Sequence, residues 1–224
     1  MSYRLYLFHN TVSFRKTTEK WGGLSNMAKG YPLLVNGIPI QSSEILYQAC
    51  RYPDYPDIQK AIITQGNPYE AKQTARSFEA KTRAGWEKNR VSVMKWCVCV
   101  KLCQNWESFF ALLDSTGEHD IVEHSEKDQF WGASKDSEGN FYGMNVLGRI
   151  LMDARDVARK KGLSGFATIP PLPLDRFLLL GEQIRDVTFS PLPMNSGQSL
   201  SLFLCGVVPF TVVTDLQTRF GGFL

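Results

Sequence analysis

Residues 86–102 restrict the possible folds of this chain more than any other segment. They read WEKNRVSVMKWCVCVKL and form its most apolar helix candidate. A segment of this kind predicts a helix that runs through the core. With 224 residues, the chain is long enough to bury such a helix, and we therefore predict one main domain built around it.

Two further helices have recognisable starting signals. Ser42 or Ser43 can cap a helix over residues 42–52, with Glu44 in its first turn, where a carboxylate suits the helix dipole. The tetrapeptide N-P-Y-E at 67–70 supplies an Asn cap, a proline and a glutamate at the positions that favour a helix start. Helices are also predicted over residues 57–65, 106–113 and 143–155, and strands over 3–8, over 121–124 and on both sides of the Asn36-Gly37 turn.

These elements predict an α+β, mostly helical single domain with a small β-sheet over residues 1–162. The character of the chain then changes, because GLSGFATIPPLPLD at 162–175 is too rich in proline to continue a helix. We predict that residues 163–224 form a Pro-rich linker and an apolar C-terminal extension, which packs on the main domain as short strands or extended segments.

Charge and cysteine content argue against several classes of protein. A net charge of +3 does not suit extended nucleic-acid binding, although 25 Lys and Arg residues leave room for a local phosphate pocket. The five cysteines favour buried thiols over disulfides or zinc, and we expect neither a metal nor a cofactor.

No secretory signal or membrane span is apparent, so we expect a cytoplasmic protein without a membrane partner. The oligomeric state stays open.

Three polar patterns are candidates for a binding site. Arg90 and Lys101 fall on one face of the apolar helix, roughly 16 Å apart, where they either reach solvent or hold phosphates. Glu44, Gln48 and Arg51 share one stripe of the helix over 42–52, which lies either on the surface or along a pocket. Asn145 can cap a helix whose first free N–H groups would suit an anion.

A fourth pattern is the stretch EHSEKDQFWG at 123–132, in which several ionisable side chains run directly into Phe130, Trp131 and Gly132. Taken alone, it indicates a charged turn that is anchored to the core by an aromatic residue. Other segments of the chain, taken together with this stretch, support a second interpretation.

Six segments, in this order and at this spacing, resemble the NADAR or YbiA-like family over roughly residues 3–160. They are WGGLSNM at 21–27, SSEILYQA at 42–49, PYEAK at 68–72, NRVSVM at 89–94, VEHSEKDQFWG at 122–132 and GMNVLGRILM at 143–152. Members of that family are similar to N-glycosidases, some acting on ribosylamino intermediates of riboflavin synthesis and others removing ADP-ribose from guanine bases.

The resemblance implies a pocket for a ribosyl or ADP-ribosyl group, with carboxylates near C1 of the ribose and cations for phosphates. The implied catalytic candidates are Glu44, Lys101, Asp128 and Glu123, and the implied substrate-binding residues are Ser25, Asn26, Gln48, Arg51, Lys72, Arg90, Trp131, Gly132, Asn145 and Arg149. Glu44 is the leading candidate for the general acid or base.

Two departures from the family pattern concern cations. Arg51 stands where many relatives have lysine, and Leu102 follows Lys101 where a lysine-phenylalanine pair is more usual. Since arginine cannot form an imine, a covalent mechanism would need Lys101 or Lys72, of which Lys101 is better placed for a pKa depressed by burial.

Two classes of function follow. The pocket either hydrolyses an N-glycosidic bond or merely senses ADP-ribose or a nucleotide, and carboxylates beside an anionic ligand favour the enzyme. A small ribosylamine, an ADP-ribose-containing molecule and ADP-ribosylated nucleic acid all fit as substrates. The modest charge slightly favours a small molecule.

Overall fold

The computed structural model describes residues 2–189, which form helices and short strands around one core. The helices are α1 (Ser43–Ala49), α2 (Pro56–Ile63), α3 (Pro68–Ser77), α4 (Trp86–Gln104), α5 (Ala111–Asp114) and α6 (Val146–Lys161). The strands are β1 (Arg4–Tyr6), β2 (Thr11–Phe14), β3 (Leu33–Val35), β4 (Ile38–Ile40), β5 (Asp120–Glu123), β6 (Ser134–Lys135), β7 (Phe141–Gly143), β8 (Thr168–Ile169), β9 (Leu178–Leu179), β10 (Glu182–Gln183) and β11 (Val187–Thr188). The predicted α+β fold is confirmed.

The strands form several small sheets rather than the one that the sequence predicts. β1, β7 and β6 form a three-stranded antiparallel sheet, and β3 pairs with β4 across the predicted Asn36-Gly37 turn. β2 pairs with β5 in parallel, with Phe14 opposite Glu123. This parallel pair was missed by the sequence analysis, because its strands are about a hundred residues apart and carry no local signal of pairing.

The apolar helix α4 is the centre of the core, as predicted. Its second half, from Trp96 onward, is buried on all sides, and α1, α6 and strands β3, β8 and β11 pack around it. The indole of Trp96 donates to the Pro170 carbonyl at 2.9 Å, which satisfies its polar atom inside the core. No helix within residues 2–189 combines the length and the apolar character that crossing a bilayer requires.

The helix starts agree with their sequence signals. Ser42 caps α1, and its hydroxyl accepts from the Ile45 amide at 3.3 Å. Asn67 caps α3 in the same way through the Tyr69 amide, with Pro68 at the first helical position. The predicted helix over 106–113 is instead a π-helical turn, Trp106–Phe110, that continues into α5.

Helix α6 lies unusually close to strand β5. An added Cβ at Gly148 would stand 2.0 Å from the Ile121 carbonyl oxygen, so a larger residue would push the helix away. Because β5 ends at Glu123, this contact fixes the point at which the chain leaves the sheet.

Residues 163–189 belong to the same core as the rest of the described chain. Phe166, Ile169 and Phe177 are almost fully buried. Two antiparallel pairs hold this segment together: β9 pairs with β10, and β8 and β11 pair on either side of them in the chain. The division at residue 162 stays a prediction, and the part of the predicted extension from residue 190 onward lies outside the described residues.

One buried side chain ties this segment to α1 and α2. Gln59, on α2, donates to the carbonyl oxygens of Ala49 at 3.1 Å and Leu178 at 2.9 Å, and it accepts from the Leu180 amide at 2.6 Å. The end of α1 is thereby linked to the β9 region through one amide group.

Candidate active site

A cavity of about 380 Å³ opens between α1, α3, the start of α4 and the loops around residues 15–27 and 123–131. Ten of the residues that the sequence analysis selected line it: Ser25, Asn26, Glu44, Gln48, Arg51, Lys72, Arg90, Glu123, Asp128 and Trp131. These residues are dispersed along the chain, and the fold brings them to one place.

The polar stripe of α1 faces this cavity rather than open solvent. The Gln48 amide donates to Glu44 Oε1 at 2.8 Å and accepts from Arg51 at 3.2 Å, and Arg51 in turn donates to the Thr82 hydroxyl at 3.1 Å. Lys72 Nζ lies 3.9 Å from the same Glu44 oxygen. Glu44 is only 5% exposed, so it has the hydrogen bond and the cation that a buried carboxylate needs.

Glu123 places a carboxyl group with a shifted pKa in the cavity wall. Burial raises its pKa to about 7, and the negative charges of Glu44 and Asp128 act in the same direction while Lys72 opposes them. A carboxyl group in this range holds or releases its proton near neutral pH, as a general acid or base must.

Asp128 shapes the loop that carries Trp131. Its Oδ1 accepts from the backbone amides of Phe130 at 3.1 Å and Trp131 at 2.9 Å, in the manner of an Asx turn. The Ser125 hydroxyl accepts from the Asp128 amide at 3.0 Å. The acids of the 123–132 stretch therefore have separate tasks, since Glu123 is part of the cavity wall while Asp128 also folds the turn.

Aromatic rings form the apolar part of the wall. Tyr47 contacts Trp86 and Trp131, with ring centroids 5.1 Å and 5.8 Å away. The Arg90 guanidinium lies 3.7 Å from the centre of the Phe130 ring and pairs with Glu87 at 3.1 Å. Arg90 is thus held in place by a cation–π contact before any ligand arrives.

Eleven lining residues were missed by the sequence analysis: Arg15, Thr17, Met27, Tyr47, Arg76, Glu79, Trp86, Glu87, Met94, Ser125 and Leu147. Arg76 lies one helical turn beyond Lys72 on α3, so its face was predictable from spacing alone. Arg15 follows directly after β2, and its place in the cavity depends on the parallel pairing of β2 with β5. No sequence signal indicated that pairing.

Lys101 lies outside the cavity, so it does not hold phosphates there together with Arg90. Its ammonium group is buried and donates to the carbonyl oxygens of Gly23 at 2.7 Å and Ser25 at 3.1 Å. Burial lowers its pKa well below the usual range, as predicted. Its separation from the cavity has a simple cause: the cavity wall includes Trp86, Glu87, Arg90 and Met94 of α4 but no residue of that helix beyond Met94.

The predicted anion site at Asn145 is wrong. Asn145 adopts a left-handed conformation, with φ 47°, and does not cap α6 with its side chain. The first amides of the helix, at Val146 and Leu147, already donate to the carbonyl oxygens of Phe130 and Trp131 at 3.0 Å. The Asn145 side chain instead accepts from the Glu123 amide at 3.1 Å and donates to the Ile121 carbonyl at 2.8 Å, which supports the strand that ends at Glu123.

Gly132 and Arg149 are also absent from the cavity wall. An added Cβ at Gly132 would stand 2.3 Å from the Glu123 carbonyl oxygen, so glycine is required there for the close approach of two backbones. Arg149 lines a separate cavity with Arg4, Lys95 and Asp153. Within residues 2–189, no three His, Cys, Asp or Glu side chains are grouped in a way that could hold a metal ion.

Comparison with known proteins gives this geometry a family. The model of the NADAR domain matches residues 13–159. The N-glycosidase YbiA of Escherichia coli is 31% identical over 145 residues, which cover 65% of this chain and 86% of that protein. This chain belongs to the NADAR domain family.

Other relatives of this NADAR chain differ in length. An N-glycosidase of Nostoc punctiforme is 30% identical and is covered over 93% of its length. A riboflavin biosynthesis protein of Vibrio vulnificus is 34% identical over 155 residues, but the match spans only 40% of that protein. The NMR structure of E. coli YbiA superposes with a TM-score of 0.59 at 27% identity, over 70% of this chain and 89% of that one. The cavity residues, from Arg15 to Leu147, all fall within the segment that the family model matches.

Proposed function

We propose that this protein hydrolyses an N-glycosidic bond between a phosphorylated ribosyl group and an aminated heterocycle. The proposal rests on two carboxyl groups that line the same cavity, Glu44 and Glu123, and that have different surroundings there. Glu44 has a hydrogen bond and a nearby cation, whereas Glu123 has a pKa raised to about 7. Pairs of this kind divide the acid and charge-stabilising roles in glycoside hydrolysis.

The two carboxyl groups suggest a specific division of labour. In its protonated form, Glu123 gives its proton to the departing nitrogen as the bond to C1 of the ribose breaks. The Glu44 carboxylate stabilises the positive charge that develops at C1. Water then adds its hydroxyl to C1 and returns a proton to Glu123, which restores the starting state. In this mechanism Glu123 transfers the proton, whereas the sequence had favoured Glu44 as the general acid or base.

The remainder of the wall suits the other parts of such a substrate. Five cations line the cavity: Arg15, Arg51, Lys72, Arg76 and Arg90. They supply charge-assisted hydrogen bonds to phosphate oxygens. The rings of Tyr47, Trp86 and Trp131 provide faces on which a heterocycle can stack.

Two substrate classes remain within the proposal, both expected in the cytoplasm. One is a ribosylamino-pyrimidine phosphate of riboflavin synthesis, which the names of two relatives favour. The other is ADP-ribosylated guanine, free or in nucleic acid. The small net charge of +3 favours the small molecule, because an extended nucleic-acid track needs clustered cations.

The decisive experiment is a parallel hydrolysis assay on both substrates, with the released sugar and heterocycle separated by chromatography. Glu123→Gln and Glu44→Gln serve as test variants, and Glu182→Gln, at an exposed position on β10, serves as the matched control. Turnover that is lost in both test variants and retained in the control supports the proposal. Binding of ADP-ribose by the unaltered protein without turnover of either substrate would leave only a sensor.

A further inference from the structure

We infer that Lys101 is a positioning residue, which holds the loop over residues 22–27 against the cavity, and that it does not react with substrate. The inference concerns the same cavity and rests on the proposed function only where turnover is measured. Lys101 is buried but does not line the cavity.

The surroundings of Lys101 hold its amine in one place. The residue is 1% exposed, and its Nζ lies 4.4 Å from the centre of the Tyr31 ring and 4.0 Å from that of Phe109. Ring faces and carbonyl oxygens both accept the N–H groups of the amine, whose pKa burial lowers well below the usual range. A buried lysine is costly unless such partners are present, and two of them, the carbonyl groups of Gly23 and Ser25, belong to a loop that reaches the cavity.

The carbonyl groups that Lys101 holds lie in a tight turn. Residues Gly22–Leu24 form a 3-10 helix, and the Gly23 and Ser25 carbonyl oxygens point inward to the lysine at 2.7 Å and 3.1 Å. Side-chain volume at Gly23 is restricted, since an added Cβ would stand 2.6 Å from the Tyr31 hydroxyl. The Lys101 Nζ group is therefore a fixed point for the backbone of this loop.

From this fixed point, contacts run directly to a carboxylate of the cavity. Ser25 and Asn26 line the wall, and the Asn26 carbonyl accepts from the Glu44 amide at 3.0 Å. The Ser43 hydroxyl donates to Asn26 Oδ1 at 2.9 Å. Moving the loop would thus change the position of two wall residues and release the first turn of α1, which carries Glu44.

Hydrogen exchange provides a test that needs no activity. Lys101→Met keeps the length of the side chain but removes its donors, and we expect amide exchange in residues 22–27 to accelerate by at least about tenfold. Val98→Ala, a buried change on the same helix and away from the cavity, is the control for general destabilisation. Equal protection of this loop in both variants would overturn the inference. If Lys101→Met does not fold, Phe109→Leu removes one ring from the ammonium group and takes its place.

Ligand binding supplies a second test. Affinity for ribose 5-phosphate is measured for Lys101→Met, Ser25→Ala and the double variant. If Lys101 acts through the loop, Ser25→Ala costs clearly less in the Lys101→Met background than alone. Strictly additive losses would show that Lys101 acts by another route.

Borohydride reduction in the presence of ribose 5-phosphate tests the covalent alternative. We expect no sugar adduct on the peptide that contains Lys101, and an adduct there would overturn the inference. A wild-type protein that hydrolyses neither substrate would defeat the proposed function alone, because the exchange measurement still decides the role of Lys101.

Discussion

Replacing Glu123 with glutamine should stabilise the folded protein above neutral pH while abolishing turnover. The Glu123 carboxyl has its pKa raised from 4.5 to about 7 by burial and by the charges of Glu44 and Asp128. Glutamine keeps the size and one carbonyl oxygen of this group but never ionises. The variant therefore loses the proposed acid together with an unfavourable charge.

The sign of the effect on stability depends on whether the folded or the unfolded chain binds the Glu123 proton more tightly. A pKa raised in the folded protein means that ionisation favours unfolding. Ionisation of Glu123 does not change the free energy of unfolding of the wild type below pH 4.5, the pKa of this group in the unfolded chain. The free energy of unfolding falls as the pH rises from there and stops falling above about pH 7. At ~1.4 kcal/mol per pH unit, the full effect would be roughly 3 kcal/mol. Glu123 is only partly buried and faces an open cavity, so solvent screening reduces the expected gain to ~1–2 kcal/mol.

Thermal unfolding followed by circular dichroism measures this gain. We expect the melting temperature of Glu123→Gln to exceed that of the wild type by roughly 3–6 °C near pH 8, and by much less near pH 5. Glu182→Gln should show no such difference between the two pH values. A shift of the same size at both pH values, or a loss of stability at both, would refute the assignment of a raised pKa to Glu123.

Three further predictions follow from the same cavity and core. Arg90→Ala should weaken binding of a phosphorylated ligand by about tenfold or more and of the unphosphorylated nucleoside far less; equal losses in calorimetry would make Arg90 structural. Glu44→Gln should reduce turnover by roughly 10²-fold with ligand affinity nearly unchanged, and an active variant would remove Glu44 from the catalytic residues. Truncation that removes residues 165–224 should destabilise the fold by several kcal/mol or prevent folding, because Phe166 and Phe177 are core residues; a cooperative melt at the wild-type temperature would contradict this.

Local spacing predicted those parts of the site that lie on single helices. The stripe of Glu44, Gln48 and Arg51 follows from helical periodicity, and the starts of α1 and α3 follow from their caps. Periodicity also placed Arg90 and Lys101 on one face. It could not show that the cavity ends between them, because its extent depends on the loops that pack against α4.

Long-range pairing and backbone conformation account for what the sequence did not reveal. Arg15 enters the cavity through the parallel pairing of strands distant in sequence, and such pairs leave no local pattern. Asn145 resembles a helix cap in sequence, yet its left-handed backbone turns the side chain toward Ile121 and Glu123. The amides that appeared free are occupied by the loop that follows Asp128, a contact that only the folded chain creates.

The Gln59 bridge has a consequence for the exchange of parts between relatives. The family match ends at residue 159, but the amide of Gln59 bonds α1 to Leu178 and Leu180, well beyond that limit. A chimera that transplanted residues 13–159 alone would contain Gln59 without Leu178 and Leu180. The buried amide of Gln59 would then lack one hydrogen-bond acceptor and one hydrogen-bond donor. The portable unit of this protein is therefore longer than the unit of sequence similarity, and it extends at least through Leu180.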